Sequence, residues 1–192
     1  MPVAKKKRTG GKVTKERDHE QNIFFHEQNA NEIAEYLYPH YKSFEKCVIL
    51  DACSGLGVLG NAFSKRTGKT MVFFYDKKDG ADILKAAGEY DLIVCNPPWR
   101  LSEALPIYEH LLNLLSPNGI LFFIINNVFC YQGSDRAEKL CFQKYYFLPR
   151  WTFKPAGRPL LDCGVMVYHK NGIIPQEAAN LRPYIPLKKV EK

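Results

Sequence analysis

Residues Cys47-Val48-Ile49-Leu50-Asp51-Ala52-Cys53-Ser54-Gly55-Leu56-Gly57-Val58-Leu59-Gly60 decide how this chain is read. Cys47 to Leu50 is a short, continuously apolar run, the pattern of a parallel strand buried on both faces. It leads into Asp51 and a glycine turn, after which a helix is expected over 58–65. Gly55 and Gly57 let the backbone turn tightly and approach a ligand where a Cβ would clash. Open parallel sheets bind ligands outside the carboxyl ends of their strands, and this turn is the first such end.

The alternation continues on both sides. Asn29 or Asn31 can cap a helix through Tyr38, with Ile33, Ala34 and Leu37 on one face and Pro39 as its stop. A second strand over 71–75 ends at Asp76, and a short helix over 83–87 follows an abbreviated strand or loop. Residues 91–95 form the next buried strand, with Asn96 at its carboxyl end. A helix over 102–115 offers Leu105, Leu111, Leu112 and Leu115 to the core. Pro117-Asn118-Gly119 breaks it before a strongly apolar strand at 120–125. Beyond a polar loop at 131–138, strands are expected near 145–153 and 164–169. The loop joining them contains Lys154, Pro155, Gly157, Arg158 and Pro159. The fold class is α/β, doubly wound, with a mainly parallel sheet. A flexible basic tail is expected at 1–22, one domain at 23–172, and an extended, proline-containing basic tail at 173–192.

A length of 192 residues suits a single domain, and 46% hydrophobic residues is ordinary for a folded chain. No apolar run approaches the roughly 20 residues needed to cross a bilayer. The N-terminus has no apolar stretch of the kind a signal peptide needs. The expectation is a soluble, cytoplasmic protein with no membrane partner. Six cysteines lie in or beside apolar segments without C-x-x-C spacing, so they read as core thiols, and no metal site is expected. The net charge of +7 is concentrated at the ends: Lys5, Lys6, Lys7, Arg8, Lys12, Lys15 and Arg17, then Lys188, Lys189 and Lys192. These are either solvated tails or an attraction to a polyanion, through release of counterions from phosphates.

The turn itself supports two readings. Gly55-x-Gly57-x-x-Gly60, with Asp76 ending the next strand, fits a dinucleotide fingerprint. Asp51 argues against it, because a carboxylate just before the glycines would repel a pyrophosphate. S-adenosylmethionine carries no phosphate; its amino group and sulfonium are both positive, and a carboxylate attracts them. Asp51 can also simply cap the turn. Asp76 suits ribose hydroxyls, and Asp82 can accept from the amine of an adenine.

Asn96-Pro97-Pro98-Trp99 suits a different task. An aromatic amine is a poor nucleophile because its lone pair is delocalised into the ring. The Asn96 side-chain carbonyl and the Pro97 backbone carbonyl can accept both amine hydrogens and favour the pyramidal, nucleophilic form. Consecutive prolines stiffen the loop and aim its carbonyls. Trp99 offers a flat face for a base, worth about 1–3 kcal/mol. A base in a duplex would have to be flipped out or already unpaired.

On these residues the chain resembles a Rossmann-like S-adenosylmethionine-dependent methyltransferase of the N6-adenine type, whose motif is Asp/Asn/Ser-Pro-Pro-aromatic. The resemblance runs from about Phe24 to His169. It implies an antiparallel hairpin closing the sheet, S-adenosylmethionine as cofactor, and catalysis by Asn96, Pro97, Pro98 and Trp99 without a metal. Cofactor contacts are implied for Phe25, Gln28, Asp51, Ala52, Cys53, Gly55, Gly57, Asp76, Asp82 and Asn96. Gln28-Asn29 stands where this family often has Thr-Pro, and Cys53 replaces its first glycine. Trp99, Arg100, Lys154 and Arg158 are the expected substrate contacts.

Adenine in DNA is the leading acceptor, RNA the next, and nucleic acid the expected partner through the basic tails and edge loops. A recognition subunit could supply target specificity. A protein glutamine amide, or a non-catalytic subunit of the same fold that binds nucleic acid, are the alternatives, with a dinucleotide enzyme behind them.

Overall fold

The computed structural model describes residues 24–44, 46–68, 70–127, 140–149, 153–154 and 162–188. β1 (Phe24–Phe25) precedes α1 (Glu27–Tyr41), and β2 (Cys47–Ala52) leads through the glycine turn to α2 (Val58–Thr67). β3 (Thr70–Tyr75) is followed by two single 3-10 turns and β4 (Tyr90–Cys95). α3 (Leu101–Asn113), β5 (Leu115–Asn126), β6 (Lys144–Leu148), β7 (Phe153–Lys154), β8 (Cys163–His169) and α4 (Gln176–Ala179) complete the order.

A six-stranded sheet runs β3-β2-β4-β5-β8-β6. β3, β2, β4 and β5 are parallel; β8 is antiparallel to both β5 and β6, which makes the expected closing hairpin. Strand alternation divides the core in two. Ile49, Leu92, Val94, Ile120, Phe122 and Val165 face α1 and α2. Leu50, Ile93, Cys95, Leu121, Phe123 and Met166 face α3. Helices on both faces explain why the strands read as apolar runs rather than as alternating patterns.

Several elements differ from expectation. α1 continues past Pro39 to Tyr41. His40 and Tyr41 are buried beyond the proline, and the Tyr41 ring packs against Phe63 and Phe122, so tertiary packing holds the last turn. α3 stops at Asn113, and Leu115 already belongs to β5, which contains Pro117-Asn118-Gly119. The register with β4 shifts there, between Tyr90 and Leu92. Such an irregularity is where a strand tolerates a proline. The strand expected over 145–153 ends at Leu148; Phe153 instead pairs with Phe25 in a separate two-stranded ribbon of β1 and β7. The segment over 173–188, read from its prolines as an extended tail, packs onto the domain: Ala178, Ile185 and Leu187 are buried. The Phe147 amide donates to the Pro183 carbonyl at 2.7 Å, and the Ile185 amide to the Phe147 carbonyl at 3.1 Å. The tails at 1–22 and 189–192 and the polar loop at 131–138 lie outside the described residues.

Cys47, Cys95 and Cys163 are buried thiols as expected, Cys53 is half-buried, and Cys141 is exposed. Cys130 lies outside the described residues. Two histidines share a buried network. His40 Nδ1 lies 2.8 Å from His169 Nε2, and His40 Nε2 lies 2.7 Å from the Tyr146 hydroxyl. Burial, with the nearby His169 and Lys144, lowers the His40 pKa to about 3; burial lowers that of His169 to about 4. Among the described residues, no helix is long and apolar enough to cross a membrane.

Candidate active site at the carboxyl edge of the sheet

The glycine turn is held from three sides. The Ser54 amide donates to the Tyr75 carbonyl at 2.9 Å, and the Gly57 amide to the Ser54 carbonyl at 2.8 Å. The Gly55 amide donates to Asp76 Oδ2 at 2.6 Å. Asp76, expected as a ribose acid, positions the turn through this bond. Gly57 has a φ of 70°, and a Cβ there would lie 2.9 Å from the Phe74 ring. Cys53, a non-glycine residue, adopts a φ of 61°. That conformation costs a non-glycine residue roughly 1–2 kcal/mol.

Asp51 is fully buried beneath this turn. Its Oδ2 accepts from the Gly60 amide at 2.7 Å, whereas Oδ1 is buried with no hydrogen-bond partner. Burial pushes the carboxyl pKa up to about 7; the charge of Asp76 adds to this and the Gly60 amide opposes it. One oxygen thus anchors the start of α2. The other is an uncompensated acceptor, whose charged form a cationic group would favour. The donor set suits an ammonium or sulfonium and repels a phosphate. Ala52, the last residue of β2, is fully buried.

Across the sheet, Ala52 pairs in register with Cys95, so the glycine turn and Asn96-Pro97-Pro98-Trp99 leave neighbouring hydrogen-bonded strands. Pro97 is buried, Pro98 exposed, and Trp99 packs partly buried against the core on the α1 and α2 side. Pro97, Pro98, Trp99, Ala104, Ile124 and Ile125 line a recess too narrow to hold a water molecule. Ala104, Ile124 and Ile125 come from α3 and β5, which no local motif connects to the Pro-Pro loop. A second cleft, of about 270 Å³, opens between α1 and α2 beside the turn. Glu27, Asn31, Leu56, Asn61 and Lys65 are among its walls.

The other predicted residues are dispersed. Asp82 is exposed, and its Oδ1 accepts from the Leu84 amide at 3.1 Å, capping a 3-10 turn. Gln28 is exposed and donates to Glu32 Oε1 at 3.1 Å, whereas the neighbouring Asn29 is fully buried. Phe25 is placed by backbone pairing with Phe153, and Lys154 by pairing with Phe24. Arg100 is exposed at the start of α3, 3.5 Å from Glu103 Oε1. Arg158 lies outside the described residues.

One feature of this edge escaped sequence reading. The Tyr145 hydroxyl donates to Asn127 Oδ1 at the end of β5. The Tyr145 ring occupies the space a Cβ on Gly164 would take, 2.4 Å away. A polar Asn126-Asn127 pair closing an apolar strand was the available signal.

No family model and no curated protein matches the chain in sequence. In structure it resembles a putative class I S-adenosylmethionine-dependent methyltransferase from Listeria monocytogenes, with TM-score 0.60 and 14% identity, covering 78% of this chain and 61% of that one. The fold is that of the class I methyltransferases. A type I restriction-modification methyltransferase subunit from Streptococcus thermophilus gives TM-score 0.60 at 14% identity, over 78% of this chain and 45% of that one. A mitomycin 7-O-methyltransferase gives TM-score 0.50 at 12% identity, over 74% and 53%. The chain thus spans between about half and three-fifths of the lengths of these three proteins. Only the third is named for the atom it methylates, so within this fold the acceptor has to be argued from the site.

Proposed function

We propose that this protein transfers a methyl group from S-adenosylmethionine to an exocyclic amino group, with N6 of adenine in DNA as the leading acceptor and RNA next. The observation that carries the reading is the register pairing of Ala52 with Cys95. It sets a turn suited to a cationic nucleoside beside a loop suited to an amine.

When bound, S-adenosylmethionine supplies a methyl group on a sulfonium, an electrophile that needs no further activation. Asp51 and the glycine turn would hold its charged end, and Asp76 its ribose. Asn96 Oδ1 and the Pro97 carbonyl accept the two amine hydrogens, directing the nitrogen lone pair out of the ring plane. Trp99 and Pro98 provide the flat walls between which a base would stack. Catalysis then consists of alignment and hydrogen bonding rather than proton abstraction by a strong base. The closed recess implies that Trp99 moves when an acceptor binds.

The test is incubation of the protein with labelled S-adenosylmethionine and separate pools of DNA, RNA and protein, followed by nucleoside mass spectrometry. N6-methyladenine in a nucleic-acid pool is the expected product. Label retained in protein after nuclease treatment would select an amide acceptor instead. No cofactor binding at all would leave a non-catalytic subunit.

A further inference from the structure

Cys53 and Cys95 are both free thiols, on neighbouring strand ends. Ala52 is the register partner of Cys95, and Cys53 is the next residue. Strand alternation would send the Cys53 side chain to the opposite face of the sheet. Its φ of 61° breaks the alternation, and the side chain packs against the same core cluster that contains Cys95. There Cys53 lies close enough to Cys95 to help raise the pKa of its buried thiol. Adjacent strands lie about 4.8 Å apart and Cys53 sits one residue, about 3.3 Å, beyond the pairing, so its Cα falls roughly 6 Å from that of Cys95, within the roughly 4.4–6.8 Å that a disulfide spans. Cys53 belongs to the glycine turn; Cys95 directly precedes Asn96. A left-handed cysteine at this position is costly for a chain in which glycine would do, and contact with Cys95 gives the side chain a task.

We propose that Cys53 and Cys95 form a dithiol modification site, which a peroxide oxidises reversibly to a disulfide tying the glycine turn to the strand that carries Asn96. Cys53 is half-buried and Cys95 fully buried, so the oxidant meets Cys53 first. The Cys53 sulfur, as thiolate, attacks one peroxide oxygen; the O–O bond breaks and hydroxide leaves, giving a sulfenic acid. The Cys95 sulfur then attacks the Cys53 sulfur, the S–O bond breaks, and the departing hydroxide takes the Cys95 proton as water. Two thiols lose two electrons in all, and one peroxide is reduced to two waters. Burial and the nearby Cys53 and Asp51 hold the Cys95 thiol protonated, so Cys95 does not attack the peroxide itself, and it resolves the sulfenic acid only as its proton passes to the departing hydroxide. The bridge removes the freedom of the turn to close on a ligand. That consequence rests on the cofactor site proposed above, whereas the bond itself does not.

The full chain is treated with hydrogen peroxide, alkylated, digested without reductant and mapped by mass spectrometry. The expected result is a peptide pair linked through Cys53 and Cys95, lighter by two hydrogens and lost with dithiothreitol. Affinity for S-adenosylhomocysteine, followed by calorimetry, is expected to fall at least ~10-fold on oxidation and to return on reduction. In Cys95→Ala, Cys53 should run on to sulfinic acid with no linked pair. Wild-type protein in which Cys95 is alkylated intact, while Cys53 is over-oxidised or joined elsewhere, overturns the proposal. A linked pair with unchanged affinity overturns its coupling to the site. A reduced protein that binds no S-adenosylhomocysteine sinks the cofactor reading alone, and the peptide map still decides the dithiol.

Discussion

Asp51 Oδ2 receives the Gly60 amide at 2.7 Å, joining the end of β2 to the first turn of α2 directly beneath the glycine turn. A Cβ on Gly60 would lie 2.8 Å from Asp51 Cβ and 2.9 Å from Oδ2. Gly60→Ala should therefore cost about 1–3 kcal/mol by overpacking, read as a lowered Tm. An unchanged Tm would mean that strand and helix are not in this contact.

The Asp51 carboxyl titrates near pH 7 when folded and near 3.8 when unfolded. The folded state binds the extra proton, so stability falls as pH rises from about 4 to 7, by a cost on the order of 4 kcal/mol. Asp51→Asn should raise the Tm of the ligand-free protein at pH 8 and leave it nearly unchanged at pH 4. The same variant should lose affinity for S-adenosylmethionine. Equal Tm differences at both pH values would show that Asp51 is not a buried charge.

The buried histidines have the opposite sign. Their folded pKa values, about 3 and about 4, lie below the ordinary 6.5. The stability they contribute is complete above pH 6.5 and is lost as pH falls towards the folded values. His40 alone should cost ~3 kcal/mol by pH 4.5. Denaturation between pH 4.5 and 7.5 should show this acid limb, and His169→Gln should flatten it. A wild-type curve that stays level below pH 6 would contradict the network.

Tyr145→Phe removes the hydrogen bond to Asn127 and should cost about 1 kcal/mol. Gly164→Ala should displace the same ring and free Asn127 in the same way. If Asn127 helps shape the acceptor pocket, both variants slow methyl transfer by similar factors while cofactor affinity holds. Opposite effects on transfer would separate the ring from the asparagine.

Asn96→Ala should lower the transfer rate by about 10²–10³, the usual loss for one hydrogen-bonding group aimed at a reacting centre. Cofactor affinity, measured separately, should change less than about threefold. Comparable transfer in this variant would refute the role given to Asn96.

The apolar runs at Cys47–Leu50 and Asp91–Cys95 were legible as buried parallel strands because each residue of such a strand meets a helix on one face or the other. The places of the two loops, after β2 and after β4, were legible because glycine and proline end strands through consecutive residues. Pro39 and Pro117 misled because a proline reports local cost, and burial of Tyr41 and Leu115 outweighs it. Gln28 and Asn29 were indistinguishable in sequence, and only the helix phase turned one outward and buried the other.

Sequence by itself determined the α/β class, the glycine turn with its acid, and the position of the Asn96-Pro97-Pro98-Trp99 loop at a strand end, since each follows from residue type and short spacing. Tertiary structure alone decided that Ala52 and Cys95 are neighbours, that Tyr145 reaches Asn127 over Gly164, and that residues 173–188 close the core. Those relations join residues from about 20 to more than 100 positions apart. No local periodicity encodes them, because they arise from strand order and from which faces are left to be covered.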